Sequence, residues 1–346
     1  MSDAQSGGPL LEVRNLTKFF PIRKGLLKRV VGQVRAVDDV SFSLDERETL
    51  GLVGESGCGK TTTSRCILRA LDPTSGQMHF RTRAGERVDL ATLDHRELRE
   101  VRREVQMIFQ DPFSSLNPRM TLFDIVGDPL LNYGMRSRAQ REDRVAELLT
   151  LVGLRPEFIR RFPHAFSGGQ RQRIGIARAL APEPRLLVAD EPVSALDVSI
   201  QAQVLNLLAD LRARIGLSYL FVAHDLSVVK QFCHRVAVMY VGKIVETART
   251  EELFAAPRHP YTEALLSAVP RPDPRVRAER IILRGEVANP ADPPPGCSFH
   301  PRCTYASDVC HAREPALEPV AADHEASCHH ARDLDLAGVN TIGAAS

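Results

Sequence analysis

Short apolar runs separated by helical patterns predict the fold class of this chain. Residues 49–53, 186–189 and 220–223 are almost continuously apolar, which is typical of strands buried on both faces of a parallel sheet. Residues 10–13 and 34–44 alternate partly between apolar and polar side chains and predict two further strands. Because strand and helix patterns alternate, we expect an α/β protein with crossovers rather than an all-β protein.

Two of the buried runs are followed by amphipathic helix patterns. The apolar face predicted after residues 49–53 consists of Cys66, Ile67, Ala70 and Leu71. This helix should end at Asp72, because Pro73 follows it. The apolar face predicted after residues 186–189 consists of Ile200, Val204, Leu207, Leu208 and Leu211.

The pattern changes along the chain and predicts three parts. A flexible start over residues 1–9 precedes an α/β domain over residues 10–256, and a helical insertion covers about residues 112–182 of that domain. Repeated prolines beyond Ala256, among them Pro270, Pro272 and Pro274, predict an irregular extension over residues 257–346. Residues 21–32 predict a solvated basic loop, because they carry Arg23, Lys24, Lys28 and Arg29.

The composition excludes several classes of protein. With 43% hydrophobic and 25% charged residues among 346, the chain differs from disordered, collagenous and coiled-coil proteins. The formal net charge of +2 removes the main electrostatic reason to expect a nucleic-acid binder. No apolar run approaches the ~20 residues that a membrane-spanning helix needs, and residues 1–9 lack the apolar core of a secretory signal. We therefore expect a cytosolic protein whose cysteines are reduced.

The segment from Gly54 to Thr61, Gly-Glu-Ser-Gly-Cys-Gly-Lys-Thr, fits the P-loop pattern between a predicted strand and a predicted helix. Its glycines let backbone N–H groups wrap around phosphate oxygens, and the helix N-terminus adds the positive end of its dipole. Lys60 places a positive charge on the β- and γ-phosphates, and Thr61 offers its hydroxyl to Mg²⁺. The predicted phosphate-site residues are Gly54, Glu55, Ser56, Gly57, Cys58, Gly59, Lys60, Thr61 and Thr62.

Two later strand ends carry polar residues that complete a nucleotide-hydrolysing site. Asp190 ends the run 186–189 and is predicted to hold Mg²⁺ through water, while Glu191 orients and polarises the attacking water. His224 ends the run 220–223, where its side chain would reach the γ-phosphate. A lone strand-end histidine is more often structural, so the prediction for His224 depends on the other motifs.

At this point the chain resembles the ATP-binding subunits of ABC transporters over about residues 10–330. Phe166-Ser-Gly-Gly-Gln170 resembles the family signature with Phe166 in place of Leu, Gln110 resembles the Q-loop glutamine, and Ser194-Ala-Leu-Asp197 resembles the D-loop. The resemblance implies a RecA-like P-loop domain with an antiparallel β-subdomain and a helical subdomain. It implies catalytic roles for Glu191, His224, Lys60 and Gln110. Further implied ATP contacts are Ser167, Gly168, Gly169, Gln170, Asp197 and an aromatic residue, either Phe20 or Phe19. Implied Mg²⁺ ligands are Thr61, Gln110 and Asp190.

Two longer strings are similar to the oligopeptide/dipeptide importer branch of the family, residues 110–118 (QDPFSSLNP) and 259–270 (HPYTEALLSAVP). Membership of this branch implies an ATPase that powers peptide import. Its implied partners are a second, different ATPase subunit, two transmembrane permease subunits and an extracytoplasmic substrate-binding protein, with no nucleic acid. It also implies a peripheral location on the cytoplasmic face of the cell membrane, with two ATP molecules sandwiched between the ATPase subunits.

Other functions stay open at this point. Nickel and glutathione importers are related alternatives, because the membrane and binding subunits select the cargo. A soluble ABC ATPase acting on ribosomes or DNA is disfavoured, since the chain has one cassette and no long coiled-coil insert. An interaction module that binds ATP without hydrolysis is disfavoured by Glu191 and His224.

Four cysteines of the extension suggest a metal centre, and they are Cys297, Cys303, Cys310 and Cys328. Soft thiolates in a proline-rich segment with little core favour a metal staple. The string 296–303 (GCSFHPRC) resembles the C-terminal extension of the importer branch, which in some members carries an iron–sulfur cluster on four cysteines. We therefore expect a [4Fe–4S] cluster, with structural Zn²⁺ or reduced thiols as alternatives. Histidines that would permit a mixed zinc site are His300, His311, His324, His329 and His330.

Overall fold

The computed structural model of the protein describes residues 8–25, 28–111, 115–269 and 280–339. Five predictions fall wholly or partly on residues outside these ranges. They concern most of the flexible start over 1–9, residues 26 and 27 of the basic loop, the tripeptide 112–114 of the branch motif, the prolines at 270, 272 and 274, and the end of the extension.

The strands of the described residues are β1 (Leu11–Lys24), β2 (Arg29–Leu44), β3 (Thr49–Val53), β4 (Ser75–Arg81), β5 (Arg87–Asp89), β6 (Val105–Ile108), β7 (Leu186–Asp190), β8 (Ser218–Ala223), β9 (Arg235–Tyr240), β10 (Lys243–Arg249), β11 (Glu318–Ala321) and β12 (His324–Ala326). The helices are α1 (Lys60–Ile67), α2 (His95–Glu104), α3 (Leu122–Asn132), α4 (Arg138–Leu151), α5 (Gly168–Leu180), α6 (Val198–Ile215), α7 (Leu226–Phe232), α8 (Thr250–Ala255), α9 (Pro260–Ser267) and α10 (Asp308–Ala312).

The chain divides into two compact units, and each is built from separate segments. The first unit comprises the described residues within Met1–Leu11, Leu44–Glu48 and His79–Val222. The second unit comprises those within Glu12–Ser43, Thr49–Met78 and Ala223–Ser346. The P-loop and the cysteine segment therefore belong to one unit, although they lie far apart in the sequence.

The first unit contains the parallel strands β8, β7 and β6, in that order. Every residue of β7 is buried, and all of β8 is buried as well, so the prediction of two strands buried on both faces is confirmed. Helices α3, α4 and α5 follow β6, and the described residues 115–182 contain no strand. The first unit is thus α/β, with a helical segment inserted between β6 and β7.

The second unit contains strands in the order β11-β12-β10-β9-β3. β3 pairs with β9 in parallel, whereas β10 pairs with both β9 and β12 in antiparallel orientation. The predicted strand over residues 49–53 is confirmed with all five residues buried. Because β3 runs directly into the P-loop, the sheet fixes the position of the loop's first residue.

The predicted basic loop over residues 21–32 is wrong. β1 extends to Lys24 and β2 begins at Arg29, so most of the predicted loop lies in two strands. A Cβ atom placed on Gly32 would lie 3.6 Å from Ile22 Cδ1, which shows that the two strands touch here. The charged side chains do not prevent strand formation, because they are exposed to solvent.

Two further expectations need correction. Helix α1 ends at Ile67 instead of reaching Leu71, because Arg69 adopts a left-handed φ of 51° and the Ala70 amide bonds to Arg65 O at 2.9 Å. The extension is more ordered than its prolines predict, since α9, α10, β11 and β12 lie within it. β12 joins the sheet by pairing with β10, with Glu246 opposite Ala326.

Candidate functional site

The P-loop is a tight turn whose glycines are required by close backbone contacts. A Cβ atom on Gly54 would lie 2.1 Å from Met239 O, and one on Gly59 would lie 2.2 Å from Ala36 O. Gly54 and Gly59 also have φ values of 150° and 111°, which L-residues rarely adopt. Helix α1 begins directly after Gly59, and no side chain caps its N-terminus. The helix thus presents its dipole end to the loop in the way that favours an anion.

Lys60 lies inside the loop, with only 5% of its surface exposed. Its Nζ donates hydrogen bonds to Gly54 O at 2.7 Å and to Glu55 O at 3.0 Å. The lysine side chain therefore folds back across the loop and holds its positive charge there. Cys58 is buried beside it, and burial raises the pKa of the Cys58 thiol above its usual value.

Glu55 is held on two sides by residues of the C-terminal extension. Its backbone N–H donates to the Tyr261 hydroxyl at 2.8 Å. Its carboxylate accepts two hydrogen bonds from the Arg302 guanidinium, at 2.7 Å and 3.1 Å. Neither contact was predicted from the sequence, although Tyr261 and Arg302 lie in strings that resemble the importer branch.

In the first unit, Gln110 and Glu191 are brought together. Gln110 Nε2 donates a hydrogen bond to Glu191 Oε2 at 2.8 Å. Asp190 ends β7 and is 4% exposed, and Glu191 follows with a left-handed φ of 47°. The Glu191 amide donates to Val222 O at 3.0 Å, so the strained backbone at this residue is tied to β8.

The signature segment caps helix α5. Ser167 is the N-cap residue, and its side chain and that of Gln170 form a reciprocal capping box. A Cβ atom on Gly169 would lie 2.4 Å from Ile200 Cγ2, so α5 and α6 approach each other closely at this glycine. Gly169 is therefore required for the close packing of α5 against α6.

The remaining predicted residues fall at element ends. Phe20 on β1 is 36% exposed, with Lys18 Nζ 5.1 Å from the centre of its ring. His224 lies between β8 and α7 and is exposed. Asp197 is the exposed N-cap residue of α6 and makes no side-chain capping bond. Phe20, His224 and the P-loop belong to the second unit, whereas Gln110, Asp190, Glu191, Asp197 and the signature belong to the first.

The four cysteines of the extension line one cavity, together with His300, His329 and His330. Burial, together with a smaller effect of the neighbouring cysteines, raises the pKa of Cys297, raises that of Cys303 to about 11 and raises that of Cys328 to about 12. The donor types fit a thiolate-binding metal. Among the described residues, however, no three or more His, Cys, Asp or Glu side chains are arranged as a metal-ion site, so metal binding stays a prediction.

None of the helices in the described ranges has the length and apolar character that crossing a bilayer requires.

Two family models match the chain. Residues 37–194 match the model described as ABC transporter, and residues 245–310 match the one described as Oligopeptide/dipeptide transporter, C-terminal region. The second match covers Tyr261 and Arg302 as well as three of the four cysteines.

Similar proteins extend over nearly the whole chain. The Bacillus subtilis (strain 168) protein named Oligopeptide transport ATP-binding protein AppF is 53% identical over 323 residues, covering 92% of this chain and 97% of that protein. The Haemophilus influenzae protein named Dipeptide transport ATP-binding protein DppF is 46% identical, covering 95% of this chain and 99% of that protein. Among solved structures, the dimeric ATP-binding cassette MJ0796 bound to ADP and Pi is 29% identical with a TM-score of 0.60, covering 69% of this chain and 98% of that chain.

Proposed function

The chain belongs to the ABC transporter family of ATP-binding proteins, and from this premise we propose that it hydrolyses ATP to power peptide import. Relatives that are named oligopeptide and dipeptide transport ATP-binding proteins support this function, because they match the chain along more than nine-tenths of its length. The observation that carries the proposal is the P-loop itself, with Lys60 buried inside a turn that only glycine can form at Gly54 and Gly59.

Each predicted site residue has a role in this proposal. The P-loop amides and Lys60 bind the β- and γ-phosphates, and Phe20 stacks on adenine. Glu191 accepts a proton from the attacking water, with its carboxylate oriented by the hydrogen bond from Gln110. His224 reaches the γ-phosphate, while Ser167, Gly168, Gly169, Gln170 and Asp197 contact the ATP bound by the partner ATPase.

Mg²⁺ is the proposed metal of this site, with Thr61, Gln110 and Asp190 as its ligands. Their hydroxyl, amide and carboxylate oxygens are hard donors of the kind that Mg²⁺ prefers. When bound, the ion neutralises charge on the phosphates.

The proposed assembly contains a second, different ATPase subunit, two permease subunits and an extracytoplasmic substrate-binding protein, and it lies on the cytoplasmic face of the membrane. We propose that the ATP-binding domain covers residues 10–256 and that the extension covers residues 257–346. A nickel or glutathione cargo is the second candidate within the same branch, because the partner subunits select the cargo.

The four cysteines are proposed to hold a metal centre, with a [4Fe–4S] cluster as the first candidate and Zn²⁺ as the second. Their lining of a single cavity supports this proposal. Anaerobically purified protein should contain about four iron atoms and as many acid-labile sulfides per chain. Zinc without sulfide would assign the site to zinc, and absence of iron, sulfide and zinc would leave reduced thiols.

Calorimetry of the purified chain with MgATP tests the proposed function. Lys60→Ala should abolish measurable binding, because the loop loses its only buried side-chain cation for the phosphates. Lys24→Ala, at the exposed end of β1, is the matched control and should bind like wild type. Co-purification with the permease subunits and stimulation of ATP hydrolysis by the peptide-loaded binding protein test the transport role. Failure of wild type to bind ATP would refute the proposal.

A further inference from the structure

The C-terminal extension contacts the P-loop at Glu55, whose backbone amide belongs to the proposed phosphate site but whose side chain has no assigned role there. Tyr261 comes from the first turn of α9, and Arg302 comes from the short turn before Cys303. Both residues act on the same amino acid, one through its backbone N–H and the other through its carboxylate. The loop conformation is therefore tied to the extension at the backbone nitrogen and at both carboxylate oxygens of Glu55.

The two residues of the extension are buried, whereas the Glu55 side chain is 29% exposed. The Tyr261 side chain is fully buried, and the side chain of Arg302 is only 7% exposed. Phe299 packs against Tyr240 and Tyr261 with ring centres 5.3 Å and 5.5 Å apart. A buried guanidinium that lost its carboxylate would carry an uncompensated charge, so the Arg302–Glu55 pair is strongly constrained to stay together.

The position of Glu55 gives this pair a chemical consequence. Its carboxylate is a negative charge within a loop that has to bind a polyanion, and like charges disfavour binding. Arg302 neutralises that charge through a bidentate bond with fixed geometry. Tyr261 at the same time fixes the amide that directly follows Gly54, at the point where β3 becomes the loop.

We propose that Arg302 and Tyr261 are positioning residues of the ATP site, which hold and neutralise Glu55 so that the P-loop is ready for the triphosphate. This inference rests on the proposed function and adds to it a direct dependence of ATP affinity on the C-terminal extension. Neither residue touches the reacting atoms, so their substitution should raise the KM for ATP more than it lowers kcat.

The test measures the ATP dissociation constant by calorimetry and the KM and kcat of the full assembly. Arg302→Ala should weaken ATP binding about tenfold, as expected for loss of a charge-assisted pair, and Arg302→Lys should restore part of the affinity. Tyr261→Phe removes only the hydroxyl and should weaken binding a few-fold. Arg249→Ala is the matched control, since Arg249 forms an exposed ion pair with Asp323 in the same unit and should not alter ATP affinity.

A double-mutant cycle with Glu55 completes the test. Glu55→Gln combined with Arg302→Ala should bind ATP no more weakly than Arg302→Ala alone, because the uncompensated charge is gone. Affinities within about twofold of wild type for Arg302→Lys, Arg302→Ala and Tyr261→Phe would overturn the inference, as would a lower melting temperature with unchanged KM. Because these variants are compared with a wild type that binds ATP, this failure is distinct from failure of the proposed function.

Discussion

Gly54 and Gly57 of the P-loop differ in the space that is available for an added methyl group. A Cβ atom on Gly54 would collide with Met239 O at 2.1 Å, whereas one on Gly57 would meet no atom within 4 Å. Gly57→Ala should cost about 1–2 kcal/mol, because only its left-handed φ of 81° is strained. Gly54→Ala should cost about 3 kcal/mol or more, because backbone has to move as well. Denaturant unfolding measures both free energies, and equal losses would contradict the steric account.

Glu191 is the proposed base of ATP hydrolysis. Glu191→Gln keeps the shape of the side chain but removes the base, so ATP binding should persist while turnover falls ~10²–10⁴-fold, or roughly 3–5 kcal/mol of barrier. Phosphate release by the full assembly measures the turnover. Glu147→Gln on α4 is the control, because Glu147 is an exposed partner of Arg144. Near-normal turnover in Glu191→Gln would remove Glu191 from its proposed role.

At the scale of the element, the N-terminus of α9 makes stability depend on pH. His259 is the N-cap residue, it is 1% exposed, and its Nδ1 accepts the Tyr261 N–H at 3.0 Å. Burial lowers the pKa of His259 from 6.5 to about 3. The folded state therefore keeps this residue neutral while the unfolded chain takes up a proton. Stability is fully present above the unfolded pKa and falls as pH drops from that value toward the folded pKa.

Lowering the pH from about 7 to about 5 should cost about 2 kcal/mol through His259 alone. His259→Asn keeps a capping acceptor that does not titrate, so this part of the pH dependence should disappear. Denaturant unfolding of both proteins at each pH measures the difference, which cancels the contributions of the other histidines. Equal pH dependence in wild type and variant would show that His259 is not kept neutral by the fold.

The secondary-structure elements differ in how well they could be predicted from the sequence. β7 and β8 were predictable because both faces of each strand are buried and their apolar runs are continuous. The order of the extension was not, because the β11–β12 pair joins the sheet through β10, about 80 residues earlier in the sequence. The charged end of β1 was wrongly predicted as a loop. That prediction used the local density of charged residues, whereas the strand forms by pairing with β2.

The residues of the candidate site also differ in how well they could be predicted from the sequence. The proposed phosphate-binding residues from Gly54 to Thr61 form a contiguous motif, so they could be predicted from their spacing between a predicted strand and a predicted helix. The hydrogen bond between Gln110 and Glu191 joins a residue predicted through the family resemblance to one predicted from its place after a buried strand. The contacts of the extension with Glu55 were not predicted, because Tyr261 and Arg302 are 206 and 247 residues away in the sequence and carry no phosphate-binding pattern of their own.

At the scale of the whole molecule, the extension is part of the core of the second unit. Glu246 on β10 is completely buried, and its carboxylate accepts hydrogen bonds from the amides of Arg258 and His259 and from His324 Nε2, at 2.7, 3.0 and 2.8 Å. All three donors lie beyond Ala256. A chain that stops at the predicted domain boundary would therefore leave a buried carboxylate without these partners.

A chain consisting of residues 1–256 should fail to unfold cooperatively. Each hydrogen bond lost from a buried carboxylate costs about 1–3 kcal/mol, and the three together approach the whole stability of a typical domain. Glu246→Leu in the shortened chain removes the stranded charge and should recover part of the lost stability. Thermal unfolding followed by circular dichroism compares both shortened chains with the full protein. Cooperative melting of the 1–256 chain at the full-length temperature would show that the ATP-binding domain folds without its extension, and that the bonds to Glu246 contribute little.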